Sequence, residues 1–287
     1  MDDQAGVAES READGDGPCG VHGWRIGNVR GLDDAKAWES VNCGLANDAA
    51  AVYHGGVSDG RALIFETSTP HATLARVGAG GHVDERGFSS DRNHNALLFG
   101  PLDELLGDER KVDLVLVGSG PGSYSGTRVG IAAAQGVAIA MGCPAVAVPS
   151  LLAVPSVASG KAALAIGDAR RGSYWTARVE DFKLDAAPSL CDAAGLHERV
   201  AQALDEGLVV FFCEEIARFP LPEEVLAKLS FEIPSAKRLW QAWQSTDEAT
   251  RRAWSSQIPQ PIYIKPPHIT PAKPRSSTMR VDSRPST

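Results

Sequence analysis

The chain has 287 residues, of which 43% are apolar, 6% aromatic and 22% charged, with a formal charge of −8. That length supports one or two domains with a sizeable core, and the acidic balance argues against a chain that grips nucleic acid by itself. Five widely spaced cysteines (Cys19, Cys43, Cys143, Cys191 and Cys213) with no C-x-x-C exclude a disulfide framework and a zinc site and fit reduced thiols. No apolar run reaches the length of a membrane span, and the acidic N-terminus lacks a secretory apolar region. The expected compartment is the cytoplasm.

The charge is uneven. Residues 1–60 hold eleven acidic and four basic side chains, net −7, whereas residues 265–287 hold five basic and one acidic, net +4. Met1–Gly20 has the acidic, glycine-rich composition of unfolded chain. Trp24, Ile26, Trp38, Val52 and Tyr53 follow no sustained period. Residues 1–60 are therefore expected to be a poorly ordered extension.

Ala62 to Phe65 reads as a buried strand ending at Glu66-Thr67-Ser68. Ala72–Val77 and Val83–Phe88 follow, and the short glycine turns between them predict antiparallel hairpins. Asn93 can cap a helix carrying Leu97, Leu98, Leu102, Leu105 and Leu106 at helical spacing, with a kink at Pro101. Val112 to Val117 is an almost unbroken apolar, β-branched strand. It breaks on Gly118, Gly120, Pro121 and Gly122, with Ser123 and Ser125 as helix N-caps. An alanine-rich helix is expected from about Thr127 to Met141, with Gly126, Gly130 and Ala134 four apart and Gly142 and Pro144 as stops. Such a corner has three uses: an anion site at the helix start, a smooth face for another backbone, or plain close packing of strand on helix.

Ala145–Val148 is a further strand. At Ala162 the pattern restarts: Ala163–Asp168 and Tyr174–Val179 repeat the layout of residues 62–77 about a hundred residues on. Helices near 193–204, 223–229 and 235–243 and a strand at 208–212 follow, with Ile262-Tyr263-Ile264 closing the second half. Pro266, Pro267, Pro271 and Pro274 forbid regular structure beyond. Two lobes are expected, 61–160 and a smaller 161–265. Residues 266–287 form a basic Pro/Ser-rich tail expected to be disordered.

Gly120-Pro-Gly-Ser-Tyr-Ser-Gly-Thr-Arg-Val-Gly-Ile131 resembles the signature of the TsaB (YeaZ) family. Three stretches in the same order support it: Phe65-Glu-Thr-Ser-Thr69, Gly167-Asp-Ala-Arg-Arg-Gly172 and Pro261-Ile-Tyr-Ile-Lys265. The resemblance covers residues 61–265. By analogy with that family the internal repeat implies the duplicated actin/Hsp70/sugar-kinase-like α/β fold, with two lobes of mixed sheet flanked by helices. It implies a non-catalytic subunit of the machinery that makes threonylcarbamoyladenosine in tRNA. Such a subunit binds the catalytic TsaD as a pseudo-symmetric heterodimer joined by the ATPase TsaE, or pairs with itself when TsaD is absent. tRNA is reached only through the complex. No cofactor is held tightly, and ATP or ADP belongs to the complex interface. The helices near 93–106 and 127–141 would make the contact, with His94, Leu97, Leu98, Gly126, Arg128, Gly130, Ala133 and Ala134 as candidates.

Glu66 and Asp168 end equivalent strands. In active members of the fold such acids hold a metal–nucleotide through water, so Glu66, Gly120, Gly122, Ser123, Ser125 and Asp168 form a candidate degenerate nucleotide site. The plainer alternatives are a Glu66 carboxylate bonded to turn N–H groups or to an arginine, and an Asp168–Arg170 ion pair within a turn. TsaD carries H-x-x-x-H, which lets two imidazoles on one helix face reach a metal ion. No two of the seven histidines here are four apart, so neither metal ligands nor catalytic residues are assigned. Arg128 lies in the first helical turn, where the dipole disfavours a cation; this suggests either an outside partner for the guanidinium, such as a carboxylate on another chain, or plain solvent. The rival reading is an active kinase or ATPase of the same fold using Gly120–Ser125 for phosphate. A peptidase is the weakest, since no G-x-S-x-G elbow or base is present.

Overall fold

The computed structural model describes residues 61–90, 94–107, 110–214 and 218–265. The extension 1–60, the tail 266–287 and the Asn93 cap lie outside the described residues. Strands β1 (Ala62–Glu66), β2 (His71–Val77) and β3 (Val83–Ser89) are followed by the short helices α1 (His94–Leu97) and α2 (Phe99–Leu106). Then come β4 (Leu114–Gly118), the long helix α3 (Tyr124–Met141) and β5 (Ala145–Val148). The first sheet has the order β3-β2-β1-β4-β5, antiparallel across β1–β2–β3 and parallel across β1, β4 and β5.

The second half contains β6 (Ala163–Asp168), β7 (Tyr174–Glu180), β8 (Lys183–Leu184), β9 (Ser189–Cys191), α4 (Ala193–Asp205), β10 (Val209–Phe212), α5 (Glu223–Leu226) and β11 (Ser230–Phe231). Its six-stranded sheet runs β11-β10-β6-β7-β8 along its main path, with β9 also pairing antiparallel to β7. Read from the other edge, that is the first sheet's order and mix of directions. The repeat seen in the sequence is thus a repeat of topology. Helices α6 (Ala236–Ser245) and α7 (Glu248–Ser255) complete the described elements.

Both central strands are buried along their whole length, which is why they read as continuous apolar runs rather than alternating ones. Side chains still alternate between faces. Leu63, Phe65, Val115 and Val117 meet Leu102, Leu105 and Leu106 of α2 and Ile131, Ala134 and Ala138 of α3. Ala62, Ile64, Leu114 and Leu116 face the other way, onto a core shared with the second sheet (Ala165, Trp175, Ala177, Phe211) and with Leu239, Trp240 and Trp243 of α6. Each large side chain so buried contributes about 1.5–3 kcal/mol. Chain order assigns α6 to the second lobe; its packing puts it against β1, β2 and β4 of the first. The reason is its stripe of Leu239, Trp240 and Trp243, which has the wide apolar inner face of the first sheet to cover. The outer face of the second sheet is covered by Leu196, Val200 and Ala203 of α4.

The kink expected at Pro101 is a break at Leu98. Pro101 has no N–H for the Leu97 carbonyl and its ring crowds that oxygen, so α1 ends and α2 begins anew, with Leu102 N–H bonded to the Leu98 carbonyl at 3.2 Å. α3 starts three residues earlier than expected. Ser123 is its cap, its hydroxyl accepting the Gly126 N–H at 3.2 Å; Ser125 lies exposed inside the first turn. α7 was not foreseen, although Asp247 caps it at the Thr250 N–H. Ile262–Ile264 forms no strand; the Ile262 N–H goes to the Ser119 carbonyl at 2.8 Å instead. No helix of the described residues is long and apolar enough to cross a membrane.

Candidate functional site

The four sequence motifs converge on one cleft of about 760 Å³ between the ends of the two sheets. Ser68 and Thr69 come from the first motif, Pro121–Tyr124 and Thr127 from the second, Asp168–Arg170 from the third and Pro261–Lys265 from the fourth. Trp175, Cys213 and Glu214 complete the walls. Nothing in the local pattern of these segments marks them as neighbours; the repeated topology brings both sets of strand ends to the same place.

The glycine corner is a packing joint. A Cβ at Gly122 would overlap the Ser68 carbonyl oxygen, one at Gly126 the Thr67 carbonyl oxygen, and one at Gly130 the Thr67 hydroxyl. Three of the corner's amides are occupied: Ser119 N–H by the Val148 carbonyl (2.8 Å), Gly120 N–H by the Ser150 hydroxyl (3.0 Å) and Ser123 N–H by the Ser68 carbonyl (2.6 Å). Gly120 and Ser123 thus spend their N–H donors inside the fold and do not offer them to a phosphate.

Glu66 is buried and does not line the cleft. Its Oε1 accepts the Ser68 N–H at 2.9 Å, which is the turn-bonded carboxylate weighed as the plainer alternative. Burial pushes its pKa up, opposed by the Ser68 N–H and by the Ser68 and Ser150 hydroxyls. Those hydroxyls lie near, yet neither makes a hydrogen bond of normal geometry with Oε2, and the Ser68 hydroxyl is itself unpartnered. A buried, protonation-prone carboxyl is a poor magnesium ligand. Asp168 does face the cleft. Its oxygens take the Arg170 N–H (2.7 Å) and guanidinium (3.3 Å), as the turn-and-ion-pair reading has it. Glu214 accepts the Asp168 N–H at 3.2 Å, and burial raises its pKa. Sequence reasoning missed it, although it follows an apolar strand just as Glu66 and Asp168 do. Among the described residues no group of three His, Cys, Asp or Glu side chains is arranged to hold a metal. Glu66 therefore does not fit the role of a magnesium ligand facing the cleft.

Most of the interface candidates point inward. His94 is 3% exposed, its Nε2 lies 3.0 Å from the Thr69 carbonyl and its ring packs edge-on against Phe88. Leu98 belongs to the core under α2. Gly126, Gly130 and Ala134 are buried against β1 and β4, so this small-residue ridge receives the chain's own backbone and not a partner's. Ala133 is half-buried beside the core, and Leu97 is exposed. Arg128 has an internal partner: Nε and Nη2 donate to the Tyr263 hydroxyl at 3.1 and 2.8 Å, and its guanidinium lies 3.9 Å over the Tyr124 ring. No local sequence signal links residues 135 apart.

The outward face of α3 is a second small-residue ridge, Ala132, Gly136 and Ala140, continuing from Ser125 and Arg128, all exposed. Ile139 (53% exposed) and Tyr124 (58%) flank it, and Leu97 (43%) and Phe99 (60%) are exposed on α1 and α2, α1 packing directly beside α3. A Cβ at Gly136 would meet nothing within 4 Å.

Two sheets of identical strand order, helices on their outer faces and a cleft between their strand ends define an actin/Hsp70/sugar-kinase-like fold. The family model "TsaD: tRNA N6-adenosine threonylcarbamoyltransferase" matches residues 88–231, half of the chain. The tRNA threonylcarbamoyladenosine biosynthesis protein TsaB of Haemophilus influenzae is 31% identical over 102 residues, 33% of this chain and 42% of that protein. An uncharacterised protein of Mycobacterium leprae is 32% identical over 45% of this chain and 38% of its own length. One of Mycobacterium tuberculosis is 31% identical over 56% of this chain and 76% of its own length. The chain thus spans about two fifths of the length of the first two curated relatives. The structure of YeaZ from Pseudomonas aeruginosa superposes with a TM-score of 0.53 at 22% identity, over 71% of this chain and 99% of that one. The chain belongs to the TsaB/YeaZ family, a group that shares the TsaD-type domain.

Proposed function

We propose that the chain is a TsaB-like accessory subunit in the biosynthesis of threonylcarbamoyladenosine in tRNA. It binds a TsaD subunit, with TsaE joining the pair, and makes no bonds itself. Family membership supports the pathway. The observation that carries the binding role is the outward ridge of α3. Glycine in an exposed helix interior costs roughly 0.5–1 kcal/mol relative to alanine, and nothing among the described residues requires it at Gly136. A facing helix does: small residues four apart let two helix axes approach to about 8 Å. Leu97, Phe99 and Ile139 extend the contact with apolar surface. A second copy meets the same face when TsaD is absent, and tRNA is reached only through the complex. Any ATP or ADP sits at the complex interface, and the compartment is the cytoplasm.

Co-expression with TsaD from the same organism tests this. The expected result is a one-to-one complex in which threonylcarbamoyl transfer needs both chains. The isolated chain should show no micromolar heat of binding with Mg-ATP. Micromolar binding lost in Asp168→Ala would overturn the reading in favour of a kinase or ATPase.

A further inference from the structure

The segment Pro259–Lys265 has no regular structure, yet four of its seven residues are tied down. The Pro259 carbonyl accepts Gln135 Nε2 of α3 at 3.4 Å. Ile262 N–H donates to the Ser119 carbonyl at 2.8 Å. The Tyr263 hydroxyl accepts Arg128 from the start of α3. Lys265 Nζ donates to the Arg170 carbonyl at 3.1 Å. The first three anchors belong to the first sheet and its helix, the last to the β6–β7 turn of the second. The segment therefore crosses from one bank of the cleft to the other, and Pro261–Lys265 line it. Behind it the cleft holds Trp175, the carboxylates of Asp168 and Glu214 and the unpartnered Ser68 hydroxyl.

Arg128 is the anchor whose placement needs a reason. A cation in the first turn works against the helix dipole, and packing does not demand it, because the side chain is exposed. Its guanidinium lies over the Tyr124 ring, 3.9 Å from the ring centre and 5.5 Å from that of Tyr263, while both donors point at the Tyr263 hydroxyl. That geometry is specific to holding Tyr263. We propose that Pro259–Lys265 is a latch across the cleft, with Arg128 as its keeper, and that releasing the Tyr263 hydroxyl loosens the segment and widens the cleft. The latch is internal to the chain and does not depend on the binding role proposed above.

Tyr263→Phe deletes the gripped hydroxyl and leaves the ring, so the fold is preserved. In the full chain, hydrogen exchange at the Ile262 amide should quicken about five- to tenfold while Val115 in β4 stays as it was. Acrylamide quenching of Trp175 fluorescence, taken as the difference from a Trp175→Phe background, should rise with it. Arg128→Leu should reproduce both effects, and the double variant should add nothing, as for two halves of one contact. Ile262 exchange within twofold of the parent in both single variants would overturn the latch. So would an equal acceleration at Val115, since the whole domain would then be responding.

Discussion

The helix α3 carries two ridges of small residues, and they do opposite things. Gly126, Gly130, Ala134 and Ala138 face inward and are buried; Arg128, Ala132, Gly136 and Ala140 face outward and are exposed. On the inner ridge the missing side chains are explained by the chain itself, since a Cβ at Gly126 or Gly130 would collide with Thr67. On the outer ridge the space beside Gly136 is open. Smallness that the fold demands is evidence about the fold. Smallness that the fold leaves unexplained is evidence about what lies outside it.

The comparison can be broken most sharply at Ala132. Ala132→Glu should leave the melting temperature within a degree or two, because the position is exposed, yet weaken TsaD binding by about 2–5 kcal/mol, thirtyfold or more, by burying an unpaired charge. Calorimetric titration reads this directly. Next comes the inner ridge. Gly130→Ala gains about 1 kcal/mol of helix propensity but drives a methyl into Thr67. The overlap should win, with a net loss of roughly 2–3 kcal/mol and a fall in Tm of about 5–10 °C. A thermal scan showing Gly130→Ala as stable as the parent would mean that the inner ridge is not tightly packed.

The smallest effect concerns the joint beneath that ridge. Glu66 titrates above the ordinary 4.5 because it is buried. The folded chain therefore keeps that proton where the unfolded chain has lost it. This contribution to stability is complete below the ordinary value and fades as pH rises through the raised one. Glu66→Gln keeps the acceptor for the Ser68 N–H and should flatten that decline without abolishing it, since Glu214 is shifted in the same direction. An unchanged slope of denaturation midpoint against pH would show that Glu66 ionises normally.

Much of the fold was legible because strand, glycine corner and helix carry local signals. β4 is wholly apolar, Ser123 offers a cap, and Gly142 in a left-handed conformation ends α3. The duplicated sheet was legible because Ala163–Asp168 and Tyr174–Glu180 repeat a pattern already met. The direction of the small-residue ridge was not legible. Spacing four fits residues 126–134 and 132–140 equally, and only Thr67, at the end of a distant strand, decides between them. His94 was an interface candidate at a helix start, but it is buried, and the Thr69 carbonyl its ring meets lies 25 residues away. Arg128 and Tyr263 are 135 apart, and the motif around Tyr263 was visible only through family resemblance.

The central claim is that the outer ridge of α3 is small for the sake of a partner. Gly136→Ala tests it in one substitution with two readouts, thermal stability of the isolated chain and affinity for TsaD. A methyl there improves the helix and meets no atom of the described residues, so Tm should rise by about 2–4 °C, while TsaD binding should weaken about tenfold as the two helices are pushed apart. A higher Tm with affinity unchanged or improved would contradict the account.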